Sequence, residues 1–195
     1  MSRKKTSVRK SDVKGIMRVA KRYPILAVII AVIVVGVFVF QSVQDNANKV
    51  TIPMDGLYVH YIDVGQGDSI LVKSGDHAML IDAGERGNDQ TILDYLKANS
   101  VEKLDYIVAT HPHSDHIGSM PKVIEGIKVD NVIMPKLPKS MVPTTSIYQK
   151  LIKAVKTSGA KVISAKAGDT YTLGDARITI VGPVGTPEDL NNASV

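Results

Sequence analysis

The sequence predicts an α+β fold, a mixed sheet carrying its helices on one side, preceded by one transmembrane helix. Three observations lead there. Short β-like segments come first, joined by tight turns, and helix-like and strand-like segments then alternate. An uncharged apolar stretch, residues 24–43, stands ahead of all of them.

That stretch reads PILAVIIAVIVVGVFVFQSV. As a helix it spans roughly 30 Å, close to the hydrocarbon thickness of a bilayer. The unbroken apolar run from Pro24 to Phe40 leaves no polar face, which argues against a buried core helix. A cleaved signal peptide is the other alternative. Against it, the run is longer than a usual signal core, and QSVQDNANK offers no convincing small-x-small cleavage site. Residues 23–43 are therefore read as a transmembrane helix, between a basic tail at 1–22 and a polar linker at 44–56. The tail holds nine Lys or Arg against one acid, Asp12, and only Lys49 follows the run closely. This asymmetry puts the N-terminus in the cytoplasm. The expectation is a single-pass protein of the cell membrane whose C-terminal domain is extracellular.

The elements of that domain follow in order. LYVHYIDV (57–64) alternates and is rich in Tyr and Val; DSILVKS (68–74) follows a GQG turn; HAMLIDAG (77–84) follows SGD. NDQTILDYLKANS (88–100) places Ile92, Leu93, Tyr95 and Leu96 at helical spacing, with Asn88 as N-cap. LDYIVAT (104–110) is a buried strand. Met120 to Gly126 reads as a short helix and VDNVIMP (129–135) as a strand. In TTSIYQKLIKAVKTSG (144–159), Ile147, Leu151 and Val155 recur on one helix face, with Lys150, Lys153 and Lys156 on another. KVISA, DTYTLG and ARITIVGP complete the β series. No glycine-rich phosphate loop opens the first helix of this series, which excludes a doubly wound dinucleotide fold.

The formal net charge is +5, which by itself suggests nucleic acid or a membrane surface as partner. Beyond residue 22, however, the chain carries 15 basic and 18 acidic residues, so the excess belongs to the tail. Cysteine is absent. That excludes disulfides and thiolate sites, and leaves His, Asp and Glu to hold any metal.

The chemistry concentrates in THPHSDHIGSM, residues 110–120, which holds three of the five histidines. Imidazole nitrogen and carboxylate oxygen suit Zn²⁺, and with less selectivity Mn²⁺ or Fe. His111 and His113 are two apart, so on an extended segment both point one way and can meet one ion. Asp115 and His116 follow after the chain turns and could face a second pocket, as in a two-metal site. Pro112 stiffens the loop between the first two. The bland alternative is a chance cluster of surface histidines. His60 and His77 each stand alone in an apparent strand and read as ordinary packed or surface residues.

THPHSDH resembles the HxHxDH signature of the metallo-β-lactamase superfamily of metal-dependent hydrolases. LIDAG (80–84) resembles that superfamily's strand-end aspartate motif. YIDVGQGDSILV (61–72) is similar to the opening of the hydrolase domain in ComEC-type DNA-uptake (competence) proteins. The resemblance implies that His111 and His113 bind a first metal and Asp115 and His116 a second, with zinc as the family's usual ion, manganese the alternative, and two ions in the complete protein. It implies that Asp115 also orients the attacking water, and that Asp82 stands beside the metals as an orienting carboxylate. Asp63, Gln66 and Asp68 match the family's loop near the site, where Asp63 is expected behind the ligands; a plain polar turn is the alternative. The implied fold is the first half of an αββα sandwich. The family continues into a second half that supplies another histidine, a bridging aspartate and a final histidine. No histidine follows His116 here, so residues 57–195 are expected to be a partial, C-terminally truncated domain, with two protein ligands for the first ion where three are usual.

The implied activity is hydrolysis of a phosphodiester, with extracellular DNA the substrate of the competence-type branch. Another ester, a lactam or a thioester would use the same core. A fragment that binds metal weakly and does no chemistry is the reading from a different class. Residues 121–166 hold nine lysines and two acids, a strip that could track a phosphate backbone or simply be a solvated face.

Overall fold

The computed structural model describes residues 24–47 and 56–195. The basic tail at 1–22 and most of the linker at 44–56 lie outside the described residues. The chain divides into two compact units, Met1–Lys49 and Val50–Val195, and each is taken by itself.

In the first unit, Pro24–Ala47 forms helix α1. Proline is well placed at its start, because the amide it lacks would have no intrahelical partner there. Ile25, Val32 and Phe38 are among its exposed side chains. The expected transmembrane helix is not carried over as such. Judged on the described residues, no helix is long and apolar enough to cross a membrane.

The second unit is built on a six-stranded mixed sheet in the order β1-β2-β3-β4-β5-β6. These are β1 Leu57–Tyr61, β2 Ile70–Ser74, β3 His77–Ile81, β4 Lys103–Val108, β5 Lys128–Pro135 and β6 Lys161–Ala165. β1 and β2 pair antiparallel across the loop at 62–69, β2 and β3 pair antiparallel through the tight turn at 75–76, and β3 to β6 run parallel. The parallel members need crossovers, which the helical stretches supply. These are α2 Asp89–Ala98, α3 Ser114–Ile117 with α4 Met120–Gly126, and α5 Ser146–Ser158. α5 starts with Thr145, whose hydroxyl accepts from Tyr148 N–H, and stops at Gly159 in the left-handed region.

One face of the sheet packs against the helices. Leu71, Leu80, Leu104, Ile107 and Val132 meet Ile92, Leu96, Met120, Val123, Leu151 and Val155 in one cluster, most of them fully buried. The expected helix face of α5 is the one it buries. The other sheet face is partly covered by a separate hairpin, β7 Thr170–Leu173 with β8 Ala176–Thr179. There Leu173 and Ile180 join Met79, Val108 and Ile133 in a second, smaller cluster. Leu57, Val59 and Tyr61 of β1 share that face by register with Val72 and Met79, yet they remain exposed.

Three polar ties were not legible in the sequence. Lys73 is buried and donates to the carbonyl of Asn99 at the C-terminus of α2, where a cation complements the helix dipole. Asn88 does sit before α2, but its side chain makes no cap. It donates instead to Val64 O and Glu85 O. Asp105 accepts from the Ala78 amide at 2.9 Å, where the β3–β4 ladder has not yet begun, and also meets Lys103 and His77. Burial pushes the Asp105 carboxyl up, but the Ala78 amide, Lys103 and His77 together hold it below the usual carboxylate value. His77 is thus occupied at the sheet edge, and His60 meets the Tyr95 hydroxyl at 2.9 Å.

A depressed folded-state pKa stabilises the fold above the unfolded value, and that contribution is lost as the pH falls through the folded value. Asp105→Asn is therefore expected to be less stable than the parent above about pH 5, and the gap closes below about pH 4, near the ordinary carboxylate range. Urea denaturation of both proteins across this pH range is the check; a gap that persists unchanged in acid would exclude the carboxylate as its source.

Candidate metal-binding site

The site forms where β3 and β4 end side by side. Parallel strands deliver their C-terminal ends to one edge, so the residues after Ile81 and after Val108 become neighbours. Asp82 N–H donates to Val108 O at 2.9 Å, and Ala83 N–H donates to His116 O at 2.7 Å. Asp82 takes a φ of 58°, a left-handed conformation that Asp tolerates better than most residues. It turns a buried carboxylate onto the end of β4.

That carboxylate has three donors. Its Oδ1 accepts from Thr110 N–H at 2.9 Å, and its Oδ2 accepts from the Thr110 hydroxyl at 2.6 Å and lies 2.8 Å from His116 Nδ1. Burial raises its pKa above the usual carboxylate value, and the bonds from Thr110 and His116 offset this only in part. With Asp82 ionised, the contacts favour one set of proton positions. Ionised, Asp82 has no proton to give, so His116 carries its proton on Nδ1. The Thr110 hydroxyl spends its one proton on Asp82 and can only accept from His111 Nδ1, 3.1 Å away. Both imidazoles therefore present an Nε2 lone pair, the form that ligates metals.

His111 lies at a bend just past β4, His113 is extended and is the N-cap of α3, and Asp115 and His116 lie on the single turn of α3. The His111 ring is 4.8 Å from that of His113 and 4.1 Å from that of His116, centroid to centroid. Asp115 Oδ2 is 3.8 Å from His116 Nε2. The four side chains form one cluster, with His116 packed directly against His111. Burial lowers the His111 pKa, as do His116 and His113, against a pull upward from Asp115 and Asp68. His111 is held neutral, as a ligand must be.

The GQGD loop packs onto this turn. Gly67, with a φ of 97°, sits so close to α3 that a Cβ there would lie 1.7 Å from the Asp115 carbonyl oxygen. Asp68 N–H donates to that same oxygen at 3.2 Å, and Gly84 N–H donates to Asp68 O. The Asp68 carboxylate reaches to 3.7 Å from His116 Nδ1. Asp63, expected behind the ligands, is instead exposed, and its carboxylate accepts from Gly65 N–H at 3.1 Å. It shapes the turn, as the bland alternative had it, and Asp68 is the loop carboxylate that faces the histidines. Gln66 contributes its carbonyl, which accepts from Glu85 N–H.

Ser119 carried no signal in the sequence. Its buried hydroxyl donates to Glu85 O at 2.7 Å and accepts from Asn88 N–H at 2.8 Å. Gly118 lets this segment approach closely, since a Cβ there would lie 2.4 Å from Arg86 N. An apolar cleft beside His111 is lined by Ala109, Met134, Leu137, Tyr148 and Leu151.

The donor kinds suit Zn²⁺ or Mn²⁺. Their number does not make a cage: among the described residues, no three His, Asp or Glu side chains are arranged to hold one ion.

Comparison with known proteins bears on family and fold. The family model described as the metallo-beta-lactamase superfamily matches residues 62–187. ComE operon protein 3 of Bacillus subtilis (strain 168) is 26% identical over 160 residues, covering 70% of this chain and 20% of that protein. Competence protein ComA of Neisseria gonorrhoeae is 37% identical over 73 residues, 37% of this chain and 11% of that one. A crystal structure of a subclass B3 metallo-beta-lactamase from Bradyrhizobium japonicum superposes with a TM-score of 0.51 at 15% identity, covering 73% of this chain and 54% of the other. The chain thus spans about a fifth of the first of these relatives and about half of the lactamase.

Asp82→Asn replaces the acceptor facing His116 by an amide that donates. His116 is then expected to move its proton to Nε2, with loss of the lone pair on that atom. Long-range ¹⁵N–¹H spectra of the histidine rings read this directly; an unchanged His116 tautomer would show that Asp82 does not set it.

Proposed function

This chain belongs to the metallo-beta-lactamase superfamily, and from that premise we propose that it carries the histidine–aspartate part of a metal-dependent phosphodiester hydrolase held at the membrane. The observation that carries the proposal is the hydrogen-bond chain that runs from the buried carboxylate of Asp82 directly to His116 and through the Thr110 hydroxyl to His111, an arrangement that favours an Nε2 lone pair on both rings. Such control is needed for a ligand and is superfluous for a surface imidazole. In this reading His111 and His113 donate to one divalent cation, Asp115 and His116 to another, and Asp115 also orients the water that attacks. The bound ions would supply an acidified water and would neutralise charge on the attacking and departing oxygens. The phosphodiester, rather than a lactam or thioester, is favoured by the relatives named as competence proteins. Nucleic acid outside the cell is the substrate class that follows.

Membrane attachment is part of the same proposal. Its support is the uncharged run at 24–43, which lies within α1; since no described helix is long and apolar enough to cross a membrane, the proposal is of attachment through this run. The nine basic residues ahead of it orient the N-terminus inward.

A second reading has one specific observation behind it. Since no three described donors are arranged around one ion, the chain would bind metal weakly and turn nothing over. Zinc or manganese titration of the full-length chain by calorimetry, followed by hydrolysis of bis(p-nitrophenyl) phosphate, separates the two. The hydrolase reading expects metal-dependent turnover that falls by about a hundredfold or more in Asp115→Asn, and weaker metal binding in His111→Ala. Metal uptake without turnover supports the second reading. Turnover that survives Asp115→Asn would remove Asp115 from its role.

Because the chain has no cysteine, its orientation can be read with single introduced thiols. In intact cells a membrane-impermeant maleimide is expected to label Ser140→Cys and to spare Ser7→Cys. The reverse pattern would invert the proposed topology.

A further inference from the structure

The positive charge of the second unit is ordered with respect to the histidine cluster. Strand register makes this visible. Val108 of β4 pairs with Ile133 of β5, and Ala109 N–H extends that ladder to Ile133 O, while Pro135 of β5 pairs with Ala165 of β6. Thr110, Pro135 and Ala165 therefore stand level along one sheet edge. The residues that follow them are His111, Lys136 and Lys166. With neighbouring strands about 5 Å apart, two lysines follow the first metal-ligand histidine in a row that reaches about 10 Å from it. Lys139 stands in the short helical turn that leaves β5, next to Leu137, which shares the apolar cleft with His111.

These three lysines are exposed and enter no ion pair among the described residues. The lysines that are paired, Lys103, Lys122 and Lys128, do not belong to this row. Asp130, one of the two acids in residues 121–166, is engaged by Lys103 and Lys128 near the start of β5, at the opposite sheet edge. Within residues 121–166 this leaves Glu125 of α4 as the other acid; beyond them Asp169 closes the turn after Lys166, its N–H donating to Lys166 O at 3.1 Å, and it forms no ion pair with the row among the described residues.

We infer that Lys136, Lys139 and Lys166 form a track for the phosphate backbone of a single-stranded nucleic acid, leading it onto the histidine cluster. The inference rests on the phosphodiesterase reading for what happens at the cluster, and goes beyond it in naming the polymer and its path. A flexible single strand can follow closely spaced cations along strand ends, which a stiff duplex does less well. The lysine row carries no base readout of its own: the one aromatic residue in 121–166, Tyr148, is half-buried, so this stretch offers no stacking platform. A lipid headgroup layer would also attract lysines, but it gives no reason for the row to begin at His111.

The test uses the full-length chain in detergent, a fluorescein-labelled oligothymidylate and EDTA throughout, so that binding is read without turnover. The triple variant Lys136→Gln, Lys139→Gln, Lys166→Gln is compared with Lys153→Gln, Lys156→Gln, Lys161→Gln. The second triple removes the same charge from the later part of α5 and the start of β6, towards the opposite edge. The track predicts that the first triple weakens binding about tenfold or more at low salt. It also predicts that the slope of log K against log salt becomes shallower by about 2, the value for three contacts to a single strand. The second triple should leave both nearly unchanged. Equal effects of the two triples, or no effect of the first, would overturn the inference while leaving hydrolysis of small phosphodiesters untouched. So would a first triple that loses binding to phosphatidylglycerol vesicles but keeps the oligothymidylate, since the row would then be a lipid contact.

Discussion

A buried carboxylate is costly unless it is fully hydrogen-bonded, and Asp82 is where this fold accepts that cost. The residue leaves β3 in a left-handed conformation, and its backbone amide extends the contact to β4. Its two oxygens then collect the Thr110 amide, the Thr110 hydroxyl and the His116 ring. Strand order, chain reversal and imidazole protonation thus meet in one side chain. A parallel β3–β4 pair is the precondition, because only then do both strand ends arrive at the same edge.

Around this point the loops hold one another more than they are held by the core. The GQGD loop lies on the backbone of Asp115, the Glu85–Asn88 segment is tied through Ser119, and Gly118 permits the close approach. These are backbone and small-side-chain contacts with little room to adjust. The sheet beneath them is firm where the helices cover it, since Leu80, Leu104, Ile107 and Leu151 are wholly buried. Rigid support under precise loops is the arrangement a ligand constellation needs.

Much of this was legible in the sequence, for identifiable reasons. Period-2 and helical spacing located the strands and α5, because burial on one face imposes those periods. The histidine spacing located the cluster, and LIDAG located Asp82. The misreadings are all tertiary. Asn88 looked like a cap, but Val64 and Glu85 compete for its amide. Asp63 and Asp68 are alike in one loop, and only the packing of Gly67 against α3 decides which carboxylate turns towards His116. Ser119 and Lys73 carry no local pattern, since their partners are more than twenty residues away.

Strand β1 ends the sheet on one side, and its Leu57, Val59 and Tyr61 point outward with at least half of their surface in water. An outermost strand also leaves one row of amides and carbonyls without ladder partners. Greasy side chains beside unsatisfied backbone make a template on which another polypeptide can add itself as a seventh strand. Among the described residues no strand pairs with the outer side of β1, so in a crowded preparation the same margin would be open to self-association.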